Sequence, residues 1–253
     1  MIELKSLTFG YKDHPPIFLD FNWLIRSGEA WAVLGPSGGG KTTLLYILAG
    51  LLLPSRGEVR VDEQLIKRPR PQTGLILQEY GLLPWATVKQ NAGLGMTVRS
   101  FYGPDGKHAP ADFKPGKDVD AWLERLGIAE IKDKYPSQIS GGQRQRTAIA
   151  RTLTLRPDIL LMDEPFSSLD APTREGLQDL VLELKEEQNF TLVLVTHTIE
   201  EAAYVGKKIL MLGKAPNSEA HIIENTGFGT PGYRASEEYS ELIHDLRNRM
   251  EAG

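Results

Sequence analysis

Gly35-Pro36-Ser37-Gly38-Gly39-Gly40-Lys41-Thr42 fits the spacing G-x-x-x-x-G-K-[ST], and its flanks give the spacing meaning. The apolar Trp31-Ala32-Val33-Leu34 precedes it, and the helical-looking Thr43-Leu44-Leu45-Tyr46-Ile47-Leu48-Ala49 follows. Strand, glycine loop and helix form the setting in which this pattern works. Glycines let the backbone curl until successive N–H groups face one anion, and the helix N-terminus adds its positive end. Lys41 then reaches the β and γ phosphates of a nucleotide, and the Thr42 hydroxyl ligates Mg²⁺. Gly35 through Thr43 are candidate phosphate binders. The other meaning of such a loop is a tight strand-to-helix turn with no ligand.

The chain of 253 residues has room for one or two domains with a sizeable core. Its net charge of −4 argues against non-specific nucleic-acid binding. It holds no cysteine, which excludes disulfides and thiol catalysis and suits a reducing compartment. Met1-Ile2-Glu3-Leu4-Lys5 carries neither a basic region nor an apolar signal core. The longest apolar stretch, Leu44 to Leu53, is stopped by Pro54 and is too short to span a bilayer. The expectation is a soluble chain that meets a membrane only through a partner.

Working outward from the loop, Ile2–Phe9, Ile17–Ile25 and Trp31–Leu34 read as strands split by Gly10, Pro15-Pro16 and Gly28. Thr42 to Leu52 reads as a helix ended by Pro54, and Val59–Val61 and Leu75–Leu77 as further strands. Strand signals vanish between Gly81 and Gly142. There Val119, Trp122, Leu123 and Leu126 share one helical face, and Gly103 to Gly116 reads as a loop. This middle part is expected to be a helical subdomain, about 82–142, inserted in an α/β core. The core resumes with strand Ile159–Met162, helix Thr173–Gln188, strand Thr191–Thr196, helix Ile199–Tyr204 and strand Ile209–Leu212. That alternation predicts a parallel sheet covered by helices. A last helix carries Tyr239, Leu242, Ile243 and Leu246 on one stripe, expected to pack on its own core.

Two constellations accompany the loop. Ile159-Leu160-Leu161-Met162-Asp163-Glu164 is a buried strand delivering two carboxylates at its C-terminal end, where α/β ligands bind. Asp163 suits the Mg²⁺ shell, directly or in the second sphere. Glu164 suits a base that takes a proton from water, or at least orients it. Ser140-Gly141-Gly142-Gln143 opens a helix with two glycines, and a second phosphate reader suggests a site shared by two chains. A plain helix cap with a glycine turn is the alternative.

With those residues in place, the chain resembles the ATP-binding cassette ATPases, the nucleotide-binding subunits of ABC transporters. Phe9-Gly10-Tyr11 resembles the aromatic loop, with Tyr11 stacking on adenine, and residues 35–42 resemble the Walker A. Gln78 resembles the Q-loop glutamine, a Mg²⁺ and water ligand. Ile139-Ser140-Gly141-Gly142-Gln143 resembles the LSGGQ signature, and Ile159–Pro165 the Walker B with its catalytic glutamate. Ser168-Leu169-Asp170 resembles the D-loop, and Val195-Thr196-His197 the switch, with His197 reaching the γ-phosphate. Leu82-Leu83-Pro84-Trp85-Ala86-Thr87-Val88 followed by Asn91 is similar to the nitrate, sulfonate and taurine import ATPases. So are Glu164–Asp170 and His197–Ala202. The departures are Ile139 for leucine, Thr198 for aspartate, and a longer loop around Gly103–Gly116.

The resemblance implies an α/β fold: a P-loop, RecA-like core with an antiparallel β portion and the inserted helical subdomain. Residues 1–216 would form the ATPase domain and 217–253 an extension. It implies an ATPase at the cytoplasmic face of the membrane, using ATP and Mg²⁺ to energise uptake of a small solute. Glu164, His197 and Lys41 would be catalytic. Thr42, Gln78 and Asp163 would hold the metal. Tyr11, Gly35, Pro36, Ser37, Gly38, Gly39, Gly40, Lys41, Thr42, Thr43 and Gln78 would bind nucleotide in one copy. Ser140, Gly141, Gly142, Gln143 and Asp170 would complete the site, with Ser140 and Gly142 supplied by the other copy. The partners implied are a second cassette, transmembrane permease subunits and, indirectly, a solute-binding protein. Leu82, Leu83 and Trp85 are the candidate dock for a permease helix. An ATP-gated regulatory cassette without transport is the alternative. A chromosome or DNA-repair ATPase of this head type would need a long coiled coil, for which Thr42 to Ser140 leaves no room.

Overall fold

The computed structural model describes residues 1–113 and 119–252. Its N-terminal strands are β1 (Ile2–Phe9), β2 (Phe18–Ile25) and β3 (Ala30–Leu34), followed by α1 (Lys41–Leu48). Then come β4 (Arg56–Val61), β5 (Gln64–Leu65), β6 (Thr73–Ile76), α2 (Val88–Tyr102), α3 (Val119–Arg125) and α4 (Gly141–Leu153). The chain continues with β7 (Ile159–Asp163), α5 (Ala171–Gln188), β8 (Thr191–Thr196), α6 (Ile199–Val205) and β9 (Lys208–Met211), and finishes with β10 (His221–Glu224) and α7 (Glu237–Ala252).

Two sheets follow from two residue patterns. The alternating strands form a four-stranded antiparallel sheet, β2-β1-β4-β5. The continuous apolar runs of β3, β7 and β8 are buried along their whole length in a six-stranded sheet, β10-β9-β3-β8-β7-β6. That sheet is parallel from β9 to β6, with β10 antiparallel at its edge.

The period of two then divides β7 and β8 between two cores. Leu161, Val193 and Val195 face one side, where Leu44, Leu45 and Ile47 of α1 and Phe21, Trp23 and Ile25 of the antiparallel sheet cover them. The rings of Trp23 and Trp31 meet edge to face at 5.1 Å and join the two sheets. Leu160, Met162, Leu192 and Leu194 face the other side, against α4, α5 and the Leu123, Leu126 and Ile128 cluster of the helical insertion. A third, smaller core holds Ala202, Ile209 and Leu246, with the Tyr239, Leu242 and Ile243 stripe of α7 packed on it, as the stripe predicts.

Several expectations need correction. α1 stops at Leu48, not at Leu52, because Gly50 turns the chain at φ +73°; a Cβ there would meet the Arg68 carbonyl at 2.6 Å. The last parallel strand is Lys208–Met211, one residue earlier than expected, and Leu212 follows it. β5 and β10 are short pairings that no sequence pattern announces. α2 is a full helix opened by a capping box at Thr87 and Gln90. No strand interrupts the described residues between Gly81 and Gly142, in line with the expected helical insertion. The Gly103–Gly116 loop starts where α2 ends, at Gly103 with φ +70°, and residues 103–113 are irregular. Residues 114–116 of that expectation lie outside the described residues.

Register places the site. β3, β8, β7 and β6 are parallel neighbours, with Leu34 opposite Thr196, Asp163 opposite Val195, and Ile76 opposite Met162. The segments leaving these strands, at Gly35, His197, Glu164 and Gln78, therefore emerge on one edge. Three inter-strand steps span about 14 Å.

Candidate functional site

The phosphate loop is built by backbone first. Gly38 and Gly40 lie at φ +80° and +95°, the left-handed region that favours glycine, and Gly40 abuts Ile17 and Phe18 too closely for a side chain. The Gly39 N–H donates to the Pro36 carbonyl at 3.1 Å. Lys41 is buried, with Nζ donating to the Gly35 and Pro36 carbonyls at 2.9 and 3.0 Å. Burial pushes its pKa down, and the Glu164 and Asp163 carboxylates work against that shift. Ser37 and Gly38 are open to solvent, as is Thr42.

Asn217, which no sequence motif singles out, braces this loop from below. Its amide donates to the Gly39 carbonyl at 3.0 Å and accepts from the Gly213 N–H at 2.9 Å. Its own backbone pairs with Ile17 and Leu19, tying the loop to β2. No local pattern marks an asparagine whose partner lies 178 residues away.

The acids arrive from β7. The Thr42 hydroxyl donates to Asp163 Oδ1 at 3.1 Å. Asp163 is buried, and burial raises its pKa; the Thr42 bond lowers it, the neighbouring Glu164 charge raises it, and Lys41 lowers it. A buried carboxylate beside an exposed hydroxyl is a hard oxygen pair suited to Mg²⁺. Among the described residues no group of three or more His, Cys, Asp or Glu side chains could hold a metal alone. The remaining ligands would come from phosphate oxygens and water, as Mg²⁺ prefers.

Glu164 sits at φ +44°, uncommon for a residue with a side chain, and its N–H extends the ladder to the Val195 carbonyl at 2.9 Å. Its carboxylate joins two other strand ends. Oε1 lies 3.1 Å from His197 Nδ1, and Oε2 accepts from Gln78 Nε2 at 3.4 Å. Lys41, Thr42, Gln78, Asp163, Glu164 and His197 thus form one cluster.

Tyr11 stands at the rim. Its ring meets Phe9 edge to face at 5.2 Å, and its hydroxyl lies 3.3 Å from Thr43 Oγ1. A shallow depression lined by Tyr11, Lys12, His14, Pro15, Ile17 and Ala215 opens beside it.

The glycine pair at α4 is elsewhere. Within one chain Ser140 caps α4, exchanging bonds with Gln143 in a capping box. A Cβ at Gly141 would face Leu169 and Tyr80, and one at Gly142 would meet Thr173. None of the hydrogen bonds of Ser140 to Gln143 reaches the phosphate loop among the described residues. Asp170 caps α5 through the Thr173 N–H at 3.4 Å. The fold therefore gathers one group of candidates in the chain and leaves Ser140, Gly141, Gly142, Gln143 and Asp170 outside it.

The three apolar residues after Gln78 also divide. Leu82 packs on the core, Leu83 is half-buried, and Trp85 is 74% exposed. The Leu83 backbone is held by Asn91, whose side chain bonds both its N–H and its carbonyl.

Comparison with known proteins places the chain in one family. Residues 18–167 match the family model described as ABC transporter. The chain is 36% identical over 234 residues to the aliphatic sulfonates import ATP-binding protein of Bacillus cereus, covering 92% of this chain and 88% of that protein. It is 40% identical over 219 residues to the taurine import ATP-binding protein of Roseobacter denitrificans, covering 85% and 78%. A solved ATP-binding cassette, dimeric and bound to ADP and Pi in a post-hydrolysis state, superposes with a TM-score of 0.73 at 31% identity, covering 90% of this chain and all (100%) of that one.

Proposed function

The chain belongs to the ABC transporter family, and on that premise we propose that it is the ATP-hydrolysing subunit of an importer for a small sulfonate-, taurine- or nitrate-like solute. It binds and hydrolyses ATP, as the cassettes of this family do. The observation that carries the catalytic assignment is the Glu164 carboxylate, placed between His197 and Gln78 beside the Thr42–Asp163 pair.

Each residue has a proposed task. Tyr11 stacks on the base. The loop N–H groups from Ser37 to Thr43 cradle the phosphates, and Lys41 leaves the Gly35 and Pro36 carbonyls for the β and γ oxygens. Thr42 and Asp163, with Gln78, hold Mg²⁺, which when bound neutralises phosphate charge. Glu164 accepts the proton of the attacking water as its oxygen bonds to the γ-phosphorus. The bond from that phosphorus to the β,γ-bridging oxygen breaks, leaving ADP and phosphate. His197 donates to the γ-phosphate and orients Glu164.

Ser140 and Gly142 of a second cassette close over the same phosphates. The exposed capping hydroxyl of Ser140, which among the described residues makes no bond to its own phosphate loop, supports this shared arrangement. Closure assembles the site, hydrolysis reopens it, and the motion drives the permease. Trp85 is the proposed contact to a permease helix. No helix among the described residues is long and apolar enough to cross a membrane, so peripheral attachment through such a partner suits the chain. Relatives named for different solutes match it at similar identity, 36% and 40%, so the cargo is left to the membrane and binding subunits. Reconstitution with its permease in vesicles loaded with ATP tests the importer reading. Uptake of labelled taurine, an alkanesulfonate or nitrate is expected; ATP hydrolysis that no permease and no solute alters would favour a regulatory cassette.

A further inference from the structure

Behind His197 lies a set of buried polar groups to which the hydrolytic assignments above give no task. Glu201, on the first turn of α6, is only 2% exposed. Its Oε2 accepts from the Thr196 hydroxyl at 2.6 Å. With its one proton committed there, the Thr196 oxygen accepts from the Thr198 N–H at 3.0 Å. His197 is bracketed by these two anchored residues. The bracket replaces a helix cap: Thr198 occupies the N-cap of α6 and makes no side-chain cap bond.

The other carboxylate oxygen of Glu201 points at Arg174 of α5. Glu201 Oε1 and Arg174 Nε stand 3.7 Å apart, and both are buried without a hydrogen-bond partner. That distance is an ion pair but too long for a hydrogen bond. The other end of the same guanidinium donates to the Leu169 carbonyl at 2.8 Å. Leu169 lies between Ser168 and Asp170, and its side chain stands 3.3 Å from where a Cβ at Gly141 would be, beside the Ser140–Gly142 segment proposed to close over the phosphates of a second cassette. Arg174 is therefore shared between Leu169 and the bracket around His197. One planar guanidinium thus holds the Leu169 carbonyl with one end and faces Glu201 with the other.

Burial raises the Glu201 pKa, with the Thr196 bond, Arg174 and His197 acting against the shift and Glu164 with it. The Glu201 end of the pair is buried while the Arg174 side chain is one-third exposed, so the contact joins a fixed carboxylate to a guanidinium that reaches the surface.

We propose that Arg174 and Glu201 are positioning residues that couple the Leu169–Asp170 segment to His197, so that the γ-phosphate contact of His197 is set by the docking of a second copy of this chain. The proposal rests on the roles assigned above to His197 and to the Ser140–Gly142 segment.

The test uses the full chain and four variants: Glu201→Gln, Arg174→Gln, the double variant, and His197→Ala as reference. In Glu201→Gln the new amide oxygen still accepts from Thr196, so the bracket keeps its shape while the charge pair is lost. Both single variants are expected to bind ATP as wild type does and to lose about tenfold in kcat with KM little changed. The double variant should be no slower than either single one, because the two act as a unit. Glu201→Asp, which keeps the charge, should recover part of kcat and serves if the Gln form does not fold. Wild-type kcat in the folded charge variants, or losses that multiply in the double variant, would overturn the coupling. If His197→Ala is slow while both charge variants are fast, the coupling alone falls. If His197→Ala is itself as fast as wild type, the assignment of His197 falls, and the coupling with it.

Discussion

The Thr42 hydroxyl, on the first turn of α1, and the Asp163 carboxylate, at the end of β7, are 121 residues apart in sequence and meet in a 3.1 Å hydrogen bond. The bond joins the phosphate loop to β7. Asp163 is nevertheless a buried carboxylate whose pKa is raised chiefly by burial. A folded-state value above the unfolded one means that folding disfavours the charged form. The cost is present at neutral pH and is relieved as pH falls. Asp163→Asn keeps the acceptor for Thr42 and removes that cost. The nucleotide-free variant is expected to melt at pH 7 no lower than wild type, while stabilisation by Mg²⁺ and ATP is lost. Thermal melts with and without Mg²⁺–ATP measure both. A large drop in the nucleotide-free melting temperature would make Asp163 a structural anchor instead.

Ser140 tests whether the site is shared. Its hydroxyl caps α4 in a capping box, so replacing it removes a cap worth about 1 kcal/mol. Ser140→Arg is expected to fold, to bind ATP with unchanged affinity and to lose hydrolysis, because the bulk and charge fall on the partner's phosphates. Wild-type activity should rise faster than linearly with protein concentration. Titration calorimetry and a dilution series decide; a strictly linear rise would favour a self-contained site.

Trp85 is 74% exposed and shares no bond with the phosphate loop among the described residues. A large apolar side chain in that position suits an interface anchor. Trp85→Ala should leave the basal ATPase and melting temperature of the isolated chain unchanged, and weaken co-purification with the permease. A marked loss of thermal stability would show that Trp85 serves the fold, and unchanged assembly would move the dock elsewhere on the helical insertion.

Legibility in the sequence follows the range of the interactions. Thr191–Thr196 is legible to its observed ends, because an unbroken apolar run announces a doubly covered strand. The stripe of Tyr239, Leu242, Ile243 and Leu246 is legible for the same local reason. The end of α1 is misleading in sequence because Gly50, rather than the more conspicuous Pro54, turns the chain. α2 is hard to see as an element although Thr87 and Gln90 spell a capping box, since its Gly93 and Gly95 blur the helical period. The phosphate loop and the paired acids are readable because each stands at the end of an apolar strand in a fixed local pattern; Gln78 and His197 are readable only through the family resemblance. Asn217, Arg174 and Glu201 are not readable. Their partners are chosen by tertiary packing, and an asparagine, an arginine and a glutamate in ordinary surroundings carry no local signal.

The most direct test of the account is the proton acceptor. Glu164→Gln keeps the size of the side chain and an oxygen within reach of Gln78 and His197, and it cannot take a proton from water. The measurement is steady-state phosphate release by the purified variant, with its mass in solution followed in the presence of Mg²⁺ and ATP. The account predicts intact ATP binding, no turnover and a trapped ATP-bound dimer; phosphate release near the wild-type rate from a chain that stays monomeric would contradict it.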